Sequence, residues 1–294
     1  MFGSLLTAMI TPFDAKGKVN FKEVEKIADF LIKNGTDTLV VTGTTGESPT
    51  LTHKEEQQIY KTVLKVAKGR AKVMAGTGSN ATVTAIEASR AAEKIGVDGL
   101  LQVVPYYNKP SQEGMYQHFK AVAESVDLPI VLYNIKGRTG VNMETDTLLR
   151  LAEIKNIVGM KEASGDLKQI KEVIDRTPKE FLVYSGDDGL TLEVMKLGGD
   201  GVISVASHIV GPQIKKVLEL SLQKKFDEAA KLDLPLQDLY KVLFITSNPV
   251  PLKAAMQMMG FNAGGVRLPL VSANENERKQ IEVVLAKLGI LAKA

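Results

Sequence analysis

Residues 72–104 read KVMAGTGSNATVTAIEASRAAEKIGVDGLLQVV, and the organisation of the whole chain can be worked out from them. An apolar run at 72–75 ends in the turn Gly76-Thr77-Gly78. An amphipathic stretch follows and stops at Gly96, which suits the left-handed residue that closes a helix. A second apolar run occupies 99–104. Runs this short and this uniformly apolar fit strands covered on both faces, as parallel strands are. The same unit recurs in both directions, with further runs at 5–10, 38–41, 130–133, 157–160, 181–184 and 201–205. Helix-start signals fill the gaps: Asn20 with Glu23, and Thr52 with Glu55, have the spacing of a capping box, and Gly35 matches Gly96 as a helix stop.

Strand–helix alternation repeated eight times over about 225 residues predicts a closed (β/α)8 barrel. An open doubly wound sheet is the alternative. Its first turn would more often carry a GxGxxG, and residues 76–78 supply only a GxG. Beyond Leu222 the pattern changes. Stretches 225–244, 251–259 and 274–288 all read as helices with no strand between them. The predicted division is a catalytic barrel over 1–224 and a helical appendage over 225–294, which packs on the barrel or builds an oligomer contact.

Composition narrows the function classes. Of 294 residues, 44% are hydrophobic and 24% charged, as in a globular protein rather than a disordered one. A net charge of +3, with lysines scattered among glutamates, gives no nucleic-acid footprint. The absence of cysteine excludes disulfides, thiolate catalysis and cysteine-ligated zinc. His53, His118 and His208 lie far apart and form no ligand pair, so no metal site is expected. The N-terminus has no Lys or Arg before Lys16 and is interrupted by Pro12 and Asp14, so it reads as a first strand rather than a leader. No run of 18 apolar residues is present. A reducing cytoplasm is the expected compartment.

Barrel chemistry sits where strands end. After the second run comes Gly43-Thr44-Thr45-Gly46-Glu47-Ser48, whose glycines permit a sharp bend and whose N–H groups can converge on an anion. A plain turn with Ser48 or Thr52 capping the next helix is the equal alternative. Lys161 ends the sixth run. Turned inward it loses its hydration, which disfavours the ammonium and favours a nucleophilic amine; turned outward it is a surface lysine or a partner of Glu162. Neighbouring strand residues face opposite sides, so Lys161 and Glu162 cannot both point inward. Tyr133 would stand at the barrel mouth, and Arg138, on a glycine-flanked loop, offers a planar fork for a carboxylate. Pro105-Tyr106-Tyr107-Asn108-Lys109-Pro110 is a stiff aromatic loop suited to an interface or to catalysis.

In order along the chain, GTTGES (43–48), AGTGSN (75–80), PYYNKPSQEGMYQHF (105–119), YN-x-x-GRTG (133–140), GMKEASGDL (159–167), YSGDD (184–188), GVISVASH (201–208) and NPVPLKAA (248–255) closely resemble the dihydrodipicolinate synthase family of class I pyruvate aldolases. The resemblance implies that Lys161 forms a Schiff base with pyruvate and that Tyr133 passes protons. It implies a relay through Thr44 and Tyr107, the latter supplied by a neighbouring subunit. Thr45 would bind the pyruvate carboxylate, the Ile203 carbonyl would lie against the bound pyruvate, and Arg138 would take the carboxylate of L-aspartate 4-semialdehyde. No metal or organic cofactor is implied, and the assembly would be a homotetramer, a pair of dimers.

Two departures stand out. Lys136 replaces the proline usual before Gly-Arg-Thr, which frees φ, should loosen that turn, and bears on the choice of aldehyde. Ser48, His53, Asn80 and Tyr106 fit the pattern of lysine-inhibited members, but Glu56 and Thr84 do not, so weak or absent inhibition by lysine is expected. The rivals are another pyruvate-dependent aldolase, such as an N-acetylneuraminate lyase or keto-deoxy sugar acid aldolase, and a non-catalytic paralogue. Arg138 and the tyrosine loop argue against the first. Retention of both Lys161 and Tyr133 argues against the second.

Overall fold

In the computed structural model, which describes residues 1–291, eight parallel strands close into one ring in chain order. They are β1 Leu5–Ala8, β2 Thr38–Val41, β3 Lys72–Gly76, β4 Gly99–Val103, β5 Ile130–Asn134, β6 Ile157–Glu162, β7 Leu182–Ser185 and β8 Gly201–Ser204. β1 pairs with both β2 and β8, which closes the ring and leaves no sheet edge. This is the barrel expected from the sequence, and the open sheet is discarded.

Alternation along each strand divides the apolar residues between two cores. Inward positions, including Leu6, Ala8, Val40, Met74, Leu101, Val131, Tyr133, Tyr184 and Ile203, fill the ring. Outward positions such as Leu5, Leu39, Val73, Leu100, Leu132, Met160, Val183 and Val202 join the larger core beneath the helices. Helices Phe21–Lys33 and His53–Ala67 show the capping logic. Thr52 and Glu55 form a complete capping box, and Asn20 caps the Glu23 N–H. The Glu23 carboxylate, however, accepts from the Asn262 N–H at 2.9 Å, so it ties the C-terminal segment to the barrel instead of closing a box. Gly35 and Gly96 have φ of +93°, as their positions after helices require.

Two boundaries differ from expectation for identifiable reasons. β6 runs on through Lys161 and Glu162, because backbone pairing with β5 and β7 continues past the apolar run. The expected helix over 225–244 is broken into Phe226–Asp233 and Gln237–Val242, with a short 3-10 turn at Leu234–Leu236. Pro235 lies in that turn, where it lacks the N–H a continuous helix needs. The other C-terminal helices are Val250–Met258 and Glu275–Lys287.

Candidate active site

The C-terminal ends of the strands surround a cavity of about 300 Å³. Its lining includes Thr44, Thr45, Ser48, Tyr106, Tyr133, Arg138 and Lys161, together with Gly186, Phe244 and Asn248. The parity of β5 and β6 brings the central pair together: Tyr133 and Lys161 are direct strand partners and both face inward. The Lys161 Nζ lies 4.2 Å from the centre of the Tyr133 ring. Glu162 faces the other way, accepting from Asn134 Nδ2 at 3.1 Å and from the Ser164 N–H at 2.6 Å. Pairing of Lys161 with Glu162 is thereby ruled out.

Burial sets the electrostatics. Lys161 is 6% exposed, and desolvation draws its pKa from 10.5 down to about 8. The charge of Asp188 pulls that value up and the charge of Arg138 pulls it down. Asp188 is itself buried, which raises its pKa, while hydrogen bonds from Ser204 Oγ and from the Val205 and Ala206 N–H groups oppose that rise and fix the carboxyl group in place. Burial pushes the Tyr133 phenol up to about 12, partly opposed by Arg138 and by a hydrogen bond with Thr44. Gly186 makes the room: a Cβ there would stand 3.2 Å from Lys161 Cε and 2.6 Å from the Ala163 Cβ.

The 43–48 loop bends sharply, but the positive φ values fall on Thr42 (+53°) and Glu47 (+56°) rather than on its glycines. Thr42 is held there by hydroxyl contacts to the Val41 carbonyl, the Tyr60 hydroxyl and the Gly76 carbonyl, at 2.8, 3.0 and 3.1 Å. Gly76 is required by close approach, since a Cβ would lie 2.5 Å from the Thr42 carbonyl oxygen. Glu47 turns away from the cavity and meets Lys253 Nζ at 2.6 Å, both fully buried. Its second oxygen accepts from the Arg267 N–H at 3.0 Å. Thr45 accepts from Asn248 Nδ2 at 2.8 Å.

The remaining residues singled out in the sequence are distributed as follows. Ile203 is buried in the ring interior. Tyr107 is 88% exposed with φ of +74° and does not line the cavity. Lys136 opens a hydrogen-bonded helical turn, Lys136–Thr139, that carries Arg138 at the rim. Ser48 donates to Glu56 at 3.0 Å, and His53 Nδ1 stands 3.1 Å from the other Glu56 oxygen. His53 and Glu56 line a neighbouring pocket of about 180 Å³, whereas Ser48 and Tyr106 line the main cavity. Asn80 lines neither, and its carbonyl accepts from Asn108. Sequence reasoning did not single out Gly186, Asn248, Lys253 or Asp188 as site groups. Lys253 offered a signal: a lysine inside an apolar helix. Among the described residues no cluster of three His, Asp or Glu side chains could hold a metal ion, and no helix is long and apolar enough to cross a membrane.

A desolvated lysine with no ion-pair partner among the described residues, beside a buried phenol and in a cavity also lined by Thr44 and Thr45, is equipped to attack a carbonyl and shuttle its protons. Comparison with known proteins identifies the family. The family model described as the dihydrodipicolinate synthetase family matches residues 1–288. The 4-hydroxy-tetrahydrodipicolinate synthase of Moorella thermoacetica is 53% identical over 290 residues, covering 99% of each chain. The dihydrodipicolinate synthase of Aquifex aeolicus superposes with a TM-score of 0.97 at 44% identity, covering 100% of both chains. The enzyme of Cyanidioschyzon merolae, crystallised with lysine bound, superposes with a TM-score of 0.97 at 45% identity, covering 99% of both. By its strand order, by its cavity and by similarity over essentially its full length, the chain belongs to the dihydrodipicolinate synthetase family.

Proposed function

We propose that this chain condenses pyruvate with L-aspartate 4-semialdehyde to give 4-hydroxy-tetrahydrodipicolinate, the entry step to diaminopimelate and lysine. The observation that carries the reading is the Lys161 amine, buried, without a carboxylate partner among the described residues, and open to the cavity at 4.2 Å from the Tyr133 ring. Neutral Lys161 attacks C2 of pyruvate. Tyr133, a proton donor at neutral pH, protonates the departing hydroxyl, and water leaves as the imine forms. The imine withdraws electrons, so the methyl group loses a proton and becomes an enamine carbon. That carbon attacks the aldehyde. The amino group of the semialdehyde then adds to C2 and expels Lys161. Thr44 and Tyr107 extend the proton path, Thr45 holds the pyruvate carboxylate, the Ile203 carbonyl lies against the bound pyruvate, and Arg138 takes the second carboxylate. No cofactor is invoked, since the lysine supplies the electron sink.

The test is borohydride reduction with pyruvate present. A reduced pyruvyl adduct on the Lys161 peptide, lost in Lys161→Ala, is expected; its absence from the wild-type chain removes the covalent mechanism. Turnover of aspartate semialdehyde but not sugar aldehydes separates this reading from the sugar-acid aldolases.

Oligomerisation belongs to the same proposal. Tyr107 is exposed in a single chain, and Tyr106 and the strained Lys109 share its loop. A second copy placed there would return Tyr107 to a partner's cavity, in a dimer of dimers whose mass light scattering would measure. We also keep the division at 224/225, with the appendage acting as a brace for the barrel mouth. Weak or absent inhibition by lysine is expected, because Glu56 and Thr84 depart from the pattern of lysine-inhibited members, and Glu56 is held by Ser48 and His53. A strong loss of rate at sub-millimolar lysine would contradict this.

A further inference from the structure

Asn248 is 5% exposed and lines the same cavity as Thr45 and Lys161, although it comes from the segment before helix Val250–Met258. Its Nδ2 donates to Thr45 Oγ1 at 2.8 Å. Its Oδ1 is buried and has no hydrogen-bond partner among the described residues. An asparagine that only braces a fold uses both ends of its amide. Asn134 does so, donating to Asn142 and Glu162 and accepting from the Met143 N–H. Among the described residues, the one side-chain hydrogen bond of Asn248 goes to a hydroxyl in the 43–48 loop.

That contact has a direction. A threonine hydroxyl carries one hydrogen and two lone pairs, and a carboxylate can only accept. Facing an acceptor, Thr45 would give its hydrogen away from the cavity. Facing the amide N–H of Asn248, it accepts there and keeps its hydrogen for the ligand. We propose that Asn248 is a positioning residue: by donating to Thr45 Oγ1 it turns the Thr45 hydrogen into the cavity, toward the carboxylate of the 2-oxo acid. This rests on the reading of Thr45 as a pyruvate-carboxylate ligand.

A hydrogen bond to a charged group, once lost, weakens binding by roughly 10–150-fold. Asn248→Ala should therefore raise KM for pyruvate by about that factor, with kcat and the KM for the aldehyde changed less than about twofold. The apparent affinity from borohydride trapping should move in parallel. Thr45→Val should give an equal or larger rise, and Asn248→Ala in the Thr45→Val background should add nothing. Asn248→Ser, which retains a small donor, should restore part of the affinity and serves if the alanine variant fails to fold. A normal pyruvate KM in Asn248→Ala and Asn248→Ser beside a raised one in Thr45→Val overturns the inference and leaves the Thr45 reading intact. A normal KM in Thr45→Val overturns both. Independent, multiplicative effects in the double variant overturn the inference, because Asn248 would then act by its own route.

Discussion

Lys161 and Lys253 are two lysines in nearly the same physical situation. They are 6% and 2% exposed, their amines lie 4.2 and 4.0 Å from aromatic ring centres, of Tyr133 and Phe13, and burial draws both down to about 8. What differs is the company. Lys253 meets the Glu47 carboxylate at 2.6 Å and donates to the Gly265 carbonyl at 2.8 Å. Lys161 has no such partner among the described residues and faces the cavity. Burial alone makes a lysine easier to deprotonate. A lone pair becomes useful only where no anion occupies the amine and a substrate can reach it. The other amine, with its donors used, becomes a strut behind the loop that holds Thr45.

The sharpest way to break this comparison is to remove each amine. Lys161→Ala should lower kcat by at least about a thousandfold. Lys161→Met should also stabilise the fold. The folded pKa is depressed to about 8 from 10.5, so below pH 8 the buried ammonium is a penalty, on the order of 3 kcal/mol. Across pH 8 to 10.5 the unfolded chain binds the extra proton, so this penalty fades as pH rises. Urea unfolding of Lys161→Met should show a gain of about 1–3 kcal/mol at pH 7 that is gone by about pH 11; a loss at pH 7 would show that Lys161 is paired after all.

Lys253→Met should act in the opposite sense. It strands a buried carboxylate, which costs about 3–5 kcal/mol, with kcat per folded molecule falling less than tenfold. Adding Glu47→Gln should recover much of the stability, and no recovery would mean that Lys253 matters for packing rather than charge. The smallest effect is on pH dependence. With a pKa of about 8, about one Lys161 amine in ten is neutral at pH 7, against roughly one in three thousand for a free lysine. Trapping of the pyruvyl adduct at limiting pyruvate should rise about tenfold from pH 7 to 9 with an inflection near 8. A flat profile would mean that proton transfer from the amine does not limit attack.

The same comparison shows how far the sequence is legible. The barrel was readable because strands buried on both faces are apolar throughout, and all eight lie where such runs occur. β6 was underestimated because its last two residues, Lys161 and Glu162, are charged yet still paired with their neighbours. Lys161 stood out as a lysine against an apolar strand, and its role came from resemblance rather than from its surroundings. Lys253 carries the same signature in Pro251-Leu252-Lys253-Ala254-Ala255 and drew no notice, since only the fold reveals that Glu47 meets it. Asn248 was equally hidden: its partner Thr45 lies 203 positions earlier, and no local pattern connects an amide to a hydroxyl at that range.

The loop bearing Thr44 and Thr45 leaves the ribosome 203 residues before Asn248, and earlier still than Lys253 and Arg267, the other groups that hold it from behind. The ring itself cannot close before residues 202–204 reach β1. A nascent chain therefore carries Lys161 long before the cavity around it is complete. A premature stop upstream of residue 248 should leave an inert fragment rather than a loose amine that reacts with cellular oxo acids.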